Sequence, residues 1–83
     1  MNRTKLLELI LSGASDANMP FDAICNLLQH LGFRLRVRGS HHIFTWSGAT
    51  GKLNLQSSGG KVKPYQVKQI RAFLNQYQIG NKP

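Results

Sequence analysis

The stretch Phe33-Arg34-Leu35-Arg36-Val37-Arg38-Gly39-Ser40-His41-His42-Ile43-Phe44-Thr45-Trp46 decides the fold. Before it, apolar residues recur at the spacing of a helix; from Phe33 onward they recur every second position. Phe33, Leu35 and Val37 alternate with Arg34, Arg36 and Arg38, which is the pattern of a half-buried strand carrying three guanidinium groups on the face opposite its apolar side chains. Gly39-Ser40 makes a tight turn into a second strand, His41 to Trp46, rich in aromatic and branched residues. Ser47 to Gly51 is the next turn, and Lys52 to Gln56 a short third strand with Leu53 and Leu55 facing inward.

Helices flank these strands. Upstream, Pro20 suits a first helical position, Asp22 favours the positive end of the helix dipole, and Phe21, Ile24, Cys25, Leu28 and Leu31 line one side until Gly32 closes the helix. Residues 2–12 form an earlier helix ending at Gly13, joined to the next by the small polar connection Ser12 to Asn18. Downstream, Ser57-Ser58-Gly59-Gly60 is a flexible loop leading to Lys61 and Lys63. Pro64 then opens a last helix through Tyr77, with Val67, Ile70, Phe73, Leu74 and Tyr77 buried and Gly80 as its stop. The expected fold is α+β: a three-stranded antiparallel sheet with helices on one face, the other face open, and an extra N-terminal helix. Residues 1–83 are expected to form a single domain, with 1–18 as a helical extension.

Charge narrows the choice of partner. Eleven Lys and Arg against three acids give a formal net charge of +8. All three acids, Glu8, Asp16 and Asp22, precede Arg34, Arg36, Arg38, Lys52, Lys61, Lys63, Lys68, Arg71 and Lys82. A field of one sign over most of the chain attracts polyanions and speeds encounter with them. A merely solvated basic surface is the bland alternative. A membrane surface would call for a long basic amphipathic helix with bulky apolar residues opposite, and the sequence has none. Arg3 and Lys5 precede the apolar run Leu6 to Leu11, but Glu8 interrupts it and it is too short for a signal peptide. Cys25 is alone, so no intramolecular disulfide can form, and a cytoplasmic location is the simple inference.

Cleaving RNA without a metal requires a base for the 2′-hydroxyl proton, an acid for the leaving oxygen and cations on the phosphate. Histidine suits the proton work, with an unperturbed pKa of about 6.5. His41 and His42 are adjacent in a strand, so they point to opposite faces and have different roles. The parity of Phe44 and Trp46 puts His42 on the buried face, as a satisfied histidine at the sheet margin, and His41 on the open one; Ile43 on the open side runs against this parity. His30, near a helix C-terminus, is expected at the surface, and Cys25 in the core.

Gly32 to Arg38, then Gly39-Ser40-His41-His42-Ile43-Phe44, then Asn54-Leu55-Gln56, then Lys63-Pro64-Tyr65-Gln66-Val67-Lys68-Gln69-Ile70, together resemble the HicA toxin family over about residues 19–79. The resemblance implies a fold related to double-stranded-RNA-binding domains and a metal-independent endoribonuclease that cleaves messenger RNA. It also implies neutralisation by a HicB-type antitoxin. Within the Gly-Ser-His motif the family's catalytic histidine corresponds to His41. Two features depart from the family pattern: the segment before residue 19, and a third strand ending in Asn-Leu-Gln where many relatives lead into Pro. Residues expected to hold RNA are Arg34, Arg36, Arg38, Ser40, Lys52, Lys61, Lys63 and Lys68.

Other chemistries fail on spacing. Gly48-Ala49-Thr50-Gly51-Lys52 lacks the spacing and the following Ser or Thr of a phosphate-binding loop. One Cys with scattered His offers no zinc ligand set, and three separated acids offer no magnesium cluster, so no cofactor or metal is expected. Two further readings stay open at this point. One is a non-catalytic RNA-binding module of the same fold, which only the Gly-Ser-His motif disfavours; the other is a protein-interaction domain, which would leave the charge unexplained.

Overall fold

The computed structural model describes residues 2–80, so Lys82 lies outside it. The elements run in the order α1 (Arg3–Ser12), a short 3-10 turn (Asp16–Asn18), α2 (Phe21–Leu31), β1 (Arg34–Arg38), β2 (His41–Thr45), β3 (Lys52–Leu55) and α3 (Pro64–Gln76). The fold is the expected α+β arrangement with an additional N-terminal helix. The sheet is antiparallel in the order β1-β2-β3.

Each helix starts and stops for a local reason. Asn2 caps α1, its Oδ1 accepting from the backbone N–H of Lys5 at 2.8 Å. Pro20 stands one residue earlier than expected, as the cap of α2, with Phe21 the first helical residue. Gly32 ends α2 at φ +112°, and a Cβ there would lie 3.2 Å from the Trp46 ring, so glycine answers both the conformation and the close approach. At the other end of the chain the stop differs from the expectation. Gln78, not Gly80, takes the left-handed conformation that closes α3, at φ 54°. Ile79 N–H then donates to Leu74 C=O at 2.8 Å and Gln78 N–H to Asn75 C=O at 3.3 Å, a Schellman closure that seats Ile79 in the core.

One core unites all the elements. Phe44, Leu53 and Leu55 of the sheet pack with Ile24, Leu27 and Leu28 of α2 and with Val67, Ile70 and Leu74 of α3. Leu6 and Ile10 of α1 belong to the same cluster, at 2% and 0% exposure. The N-terminal segment is therefore part of the packed body, with α1 lying on α2 and α3. Arg71 of α3 fastens it. Its Nη1 donates to Ile10 C=O at 2.9 Å, and its two terminal nitrogens donate to the Asp16 carboxylate at 3.0 Å each. The small polar connection between the first two helices thus contains the 3-10 turn that presents Asp16.

The Ser57–Gly60 loop is likewise more ordered than its composition suggests. Ser58 and Lys61 exchange backbone hydrogen bonds of 2.8 and 3.1 Å. Phe21 N–H donates to Gly60 C=O and Val62 N–H to Met19 C=O, both at 2.9 Å, which ties the loop to the start of α2. Strand β1 departs from expectation in the other direction. Phe33 is buried just before it and Leu35 half-buried, but Val37 is 53% exposed. As an edge strand, β1 loses its cover toward its tip, and alternation in sequence there no longer means alternation in burial.

Candidate nucleic-acid interface

The open face of the sheet is set by parity and register. Arg34 stands opposite Thr45, Arg36 opposite Ile43 and Arg38 opposite His41; across the second ladder Ile43 faces Asn54 and Thr45 faces Lys52. Residues opposite one another share a face, so three arginines, His41, Lys52 and Asn54 occupy the side away from the helices. A shallow depression on that face is lined by Arg34, Arg36, Arg38, Ile43, Thr45 and Lys52. The single salt bridge among the described residues, Arg71–Asp16, lies elsewhere, and these four cations are all exposed. Four exposed cations on one face make a field that attracts polyanions.

His41 sits at the border of that field. The tight turn Gly39-Ser40, with Gly39 at φ 57°, places it as the first residue of β2, exposed to solvent. Its Nδ1 is 3.1 Å from Asn54 Oδ1, a diagonal contact across the β2–β3 ladder. A carbonyl oxygen can only accept, so in this contact Nδ1 carries a proton; in the neutral ring Nε2 is then the acceptor, with no partner among the described residues. Beside it, Gln56 Nε2 donates to Ser40 Oγ at 2.8 Å and pins the hairpin turn to the end of β3. The two polar residues of Asn54-Leu55-Gln56 thus hold the two polar residues of the Gly-Ser-His motif.

His42, on the covered face, has a different environment. Its ring meets Phe21 edge-on with centroids 4.9 Å apart. Its Nδ1 is buried with no hydrogen-bond partner among the described residues, so at this nitrogen the protein does not supply the partner expected of a satisfied histidine at the sheet margin. The helix wall from Phe21 offers it carbon, not an acceptor. His30 is exposed at the end of α2. Cys25 is buried in the core, where burial, reinforced by the charge of Asp22, pushes its thiol up to about 11; that is the opposite of what a nucleophile needs.

The remaining sequence-derived candidates divide. Arg34, Arg36, Arg38 and Lys52 come together on the open face, with Ser40 beside His41. Lys61, Lys63 and Lys68 line neither depression of the surface. Lys61 Nζ reaches Asn18 Oδ1 at 3.4 Å, Lys63 caps α3, and Lys68 adds to the positive charge near Asp16. A second groove, of about 620 Å³, runs between β3 and α3 and includes His41, Lys52, Asn54, Tyr65, Gln66 and Gln69. Composition pointed to the cations; it gave no signal for Asn54, Tyr65, Gln66 or Gln69, whose convergence depends on how α3 lies beside β3.

No helix among the described residues is long and apolar enough to cross a membrane. Comparison with known proteins gives one informative result: the family model for the HicA toxin of bacterial toxin-antitoxin systems matches residues 21–79. No curated protein and no solved structure gives a significant match.

Proposed function

We propose that this protein, which belongs to the HicA toxin family of bacterial toxin-antitoxin systems, is a metal-independent endoribonuclease that cleaves messenger RNA at a phosphate held beside His41. The observation that carries this reading is the His41 Nδ1–Asn54 Oδ1 contact of 3.1 Å, which leaves Nε2 as a free base on a face lined by unpaired cations. In the proposed step Nε2 takes the proton of the RNA 2′-hydroxyl, and the 2′-oxygen attacks the adjacent phosphorus. The bond from phosphorus to the 5′-oxygen breaks, that oxygen takes a proton from water, and the proton held on Nε2 returns to solvent. The products are a 2′,3′-cyclic phosphate and a 5′-hydroxyl, and DNA, lacking the nucleophile, is not cut. Arg34, Arg36, Arg38 and Lys52 hold the phosphates as negative charge shifts, with Ser40, Lys61, Lys63 and Lys68 as further contacts along the strand.

The toxin acts in the cytoplasm, where messenger RNA is available, and is restrained by a HicB-type antitoxin. The antitoxin surface that meets the arginine face is acidic and covers His41, so the complex weakens as salt rises.

The test is incubation of labelled RNA with wild type and His41→Ala in EDTA, after both are shown to be equally folded. Cleavage by wild type, with a loss of about 10²–10⁴-fold in the variant, is the expected result. Asn54→Asp sharpens it: a negative charge beside the ring favours its protonated form and moves the acid limb of the rate–pH profile to higher pH. If neither wild type nor His41→Ala cuts while both bind RNA equally, the domain is a non-catalytic RNA-binding module.

A further inference from the structure

The groove between β3 and α3 differs in chemistry from the arginine face it adjoins. Along α3, Tyr65, Gln69, Ala72 and Gln76 recur at intervals of four, three and four residues and form one uncharged stripe lining the groove. The cations of the same helix, Lys68 and Arg71, are turned toward Asp16 and α1 instead. Among the described residues Lys52 is the only lysine or arginine that lines the groove, and it also lines the arginine face. Phosphate, which only accepts hydrogen bonds, is served by the arginine face. The two amides of the stripe, Gln69 and Gln76, each with donors and an acceptor, match instead the mixed donor and acceptor edge of a base.

Two further observations point to a ligand of that kind. Tyr65 is 56% exposed at the groove, a costly place for a bare aromatic ring and a suitable one for stacking. Gln66, only 5% exposed, also lines the groove. Its Nε2 donates to the Asn54 backbone carbonyl at 3.3 Å, while its Oε1 is buried with no partner among the described residues. A buried acceptor left without a donor is uncommon in a native chain, and a donor entering the groove, from water or from a ligand, would satisfy it. Gln66 also ties α3 to Asn54, the residue whose side chain meets His41.

We propose that this groove is a base-binding subsite: it takes one unstacked base of single-stranded RNA, next to the phosphate at His41, with Tyr65 stacked on the ring and Gln69 reading its edge. This deepens the ribonuclease reading and rests on it for the position of the phosphate. Such a base cannot enter while paired in a duplex, so the substrate is single-stranded at the cut, and cleavage depends on the base in the groove.

The experiment uses the full chain with His41→Ala to prevent cutting. Binding is measured for short single-stranded RNAs, for the same sequence as a duplex, and for single strands with one abasic position walked along them. Single strands are expected to bind more tightly than the duplex, and one abasic position is expected to weaken binding. Adding Tyr65→Ala should lower affinity for the intact strand by about 5–150-fold, the range of one base stack, while barely changing affinity for the strand abasic at the critical position. Tyr65→Phe should restore it, and Gln69→Ala in the active protein should alter which sites are cut. The proposal is overturned if Tyr65→Ala and Gln69→Ala leave binding unchanged, if they weaken intact and abasic strands alike, or if duplex binds as well as single strand. The two readings fail separately. Absence of cleavage by wild type with Tyr65-dependent binding intact removes the ribonuclease and leaves the subsite; cleavage by wild type that ignores Tyr65 and Gln69 removes the subsite and leaves the ribonuclease.

Discussion

The two faces of the sheet are made by the same three strands, of five, five and four residues, read at alternate positions, and they could hardly differ more. On the covered face Phe44 and Leu55 are fully buried and Leu53 nearly so, packed against α2 and α3. One step along each strand, on the open face, stand His41, Lys52 and Asn54, all exposed, with Arg34, Arg36 and Arg38 beside them. A domain of 83 residues has a single core to draw stability from, and the covered face supplies it. That leaves the open face free to carry a concentration of like charge that adds nothing to folding and is tolerated because water reaches it. Stability and activity should therefore separate cleanly by parity in β2.

The sharpest way to break that separation is a pair of substitutions three residues apart. Phe44→Ala removes a fully buried ring, and a loss of about 3–5 kcal/mol in urea unfolding is expected, enough to leave little folded protein. His41→Ala should leave the unfolding free energy within about 0.5 kcal/mol of wild type while lowering cleavage by the factor expected above. If His41→Ala destabilised as strongly as Phe44→Ala, the open face would be structural and the proposed division of labour wrong.

A second substitution tests how far the covered side extends. Ile10 in α1 is fully buried, although it lies before residue 21, where the family match begins. Ile10→Ala should cost about 2–5 kcal/mol, as for any core aliphatic residue, despite its distance from the sheet. A change below about 0.5 kcal/mol would show α1 to be a dispensable appendage. On the open face the matching change is Arg36→Ala. It should leave stability unaltered, weaken RNA binding at every sequence alike, and reduce the slope of log affinity against log salt by about 0.7 for a single-stranded ligand. A change of sequence preference without a change of slope would mean that Arg36 contacts a base.

Much of this was legible in the sequence, for identifiable reasons. The alternation in residues 33–46 located β1 and β2, and the parity of Phe44 separated His41 from His42, because strand geometry is a local property. The family motif pointed at the same histidine. Val37 was misjudged because its burial depends on what lies over an edge strand, which alternation does not encode. The helix stop at Gln78 was missed because a left-handed glutamine is held by the bonds of Ile79 and Gln78 to α3, with no composition signal to announce it. The His41–Asn54 contact required the register of β2 on β3, and that register is fixed by the path of the chain between Trp46 and Lys52. The groove residues of α3 have helical spacing in sequence, but nothing there tells that their stripe lies beside β3 rather than in water.

The Arg71–Asp16 pair joins residues 55 positions apart and was equally hidden, and it yields the smallest effect. It belongs to the covered side, with side chains 21% and 16% exposed, so it should influence folding and leave RNA contacts alone. The hydrogen bonds from Arg71 hold the Asp16 carboxyl below its ordinary value of 3.8; partial burial opposes this, and the charges of Arg71 and Lys68 add to it. Arg71 is correspondingly raised and stays charged throughout the range of interest. A carboxyl that is more acidic in the folded state contributes stability above its unfolded pKa, and the contribution disappears as pH falls through that value and then through the lower folded one. Its size is about 1–2 kcal/mol, held down by the remaining exposure and by salt. Asp16→Asn keeps the shape and one acceptor but cannot titrate. Unfolding of wild type and Asp16→Asn at pH 7 and again below pH 3.5 should give a gap that narrows on acidification, since the two proteins differ at this one carboxyl and share every other acid. A gap that stayed constant would mean that Arg71 secures α1 through the Ile10 carbonyl alone and that the ion pair adds nothing to the covered side.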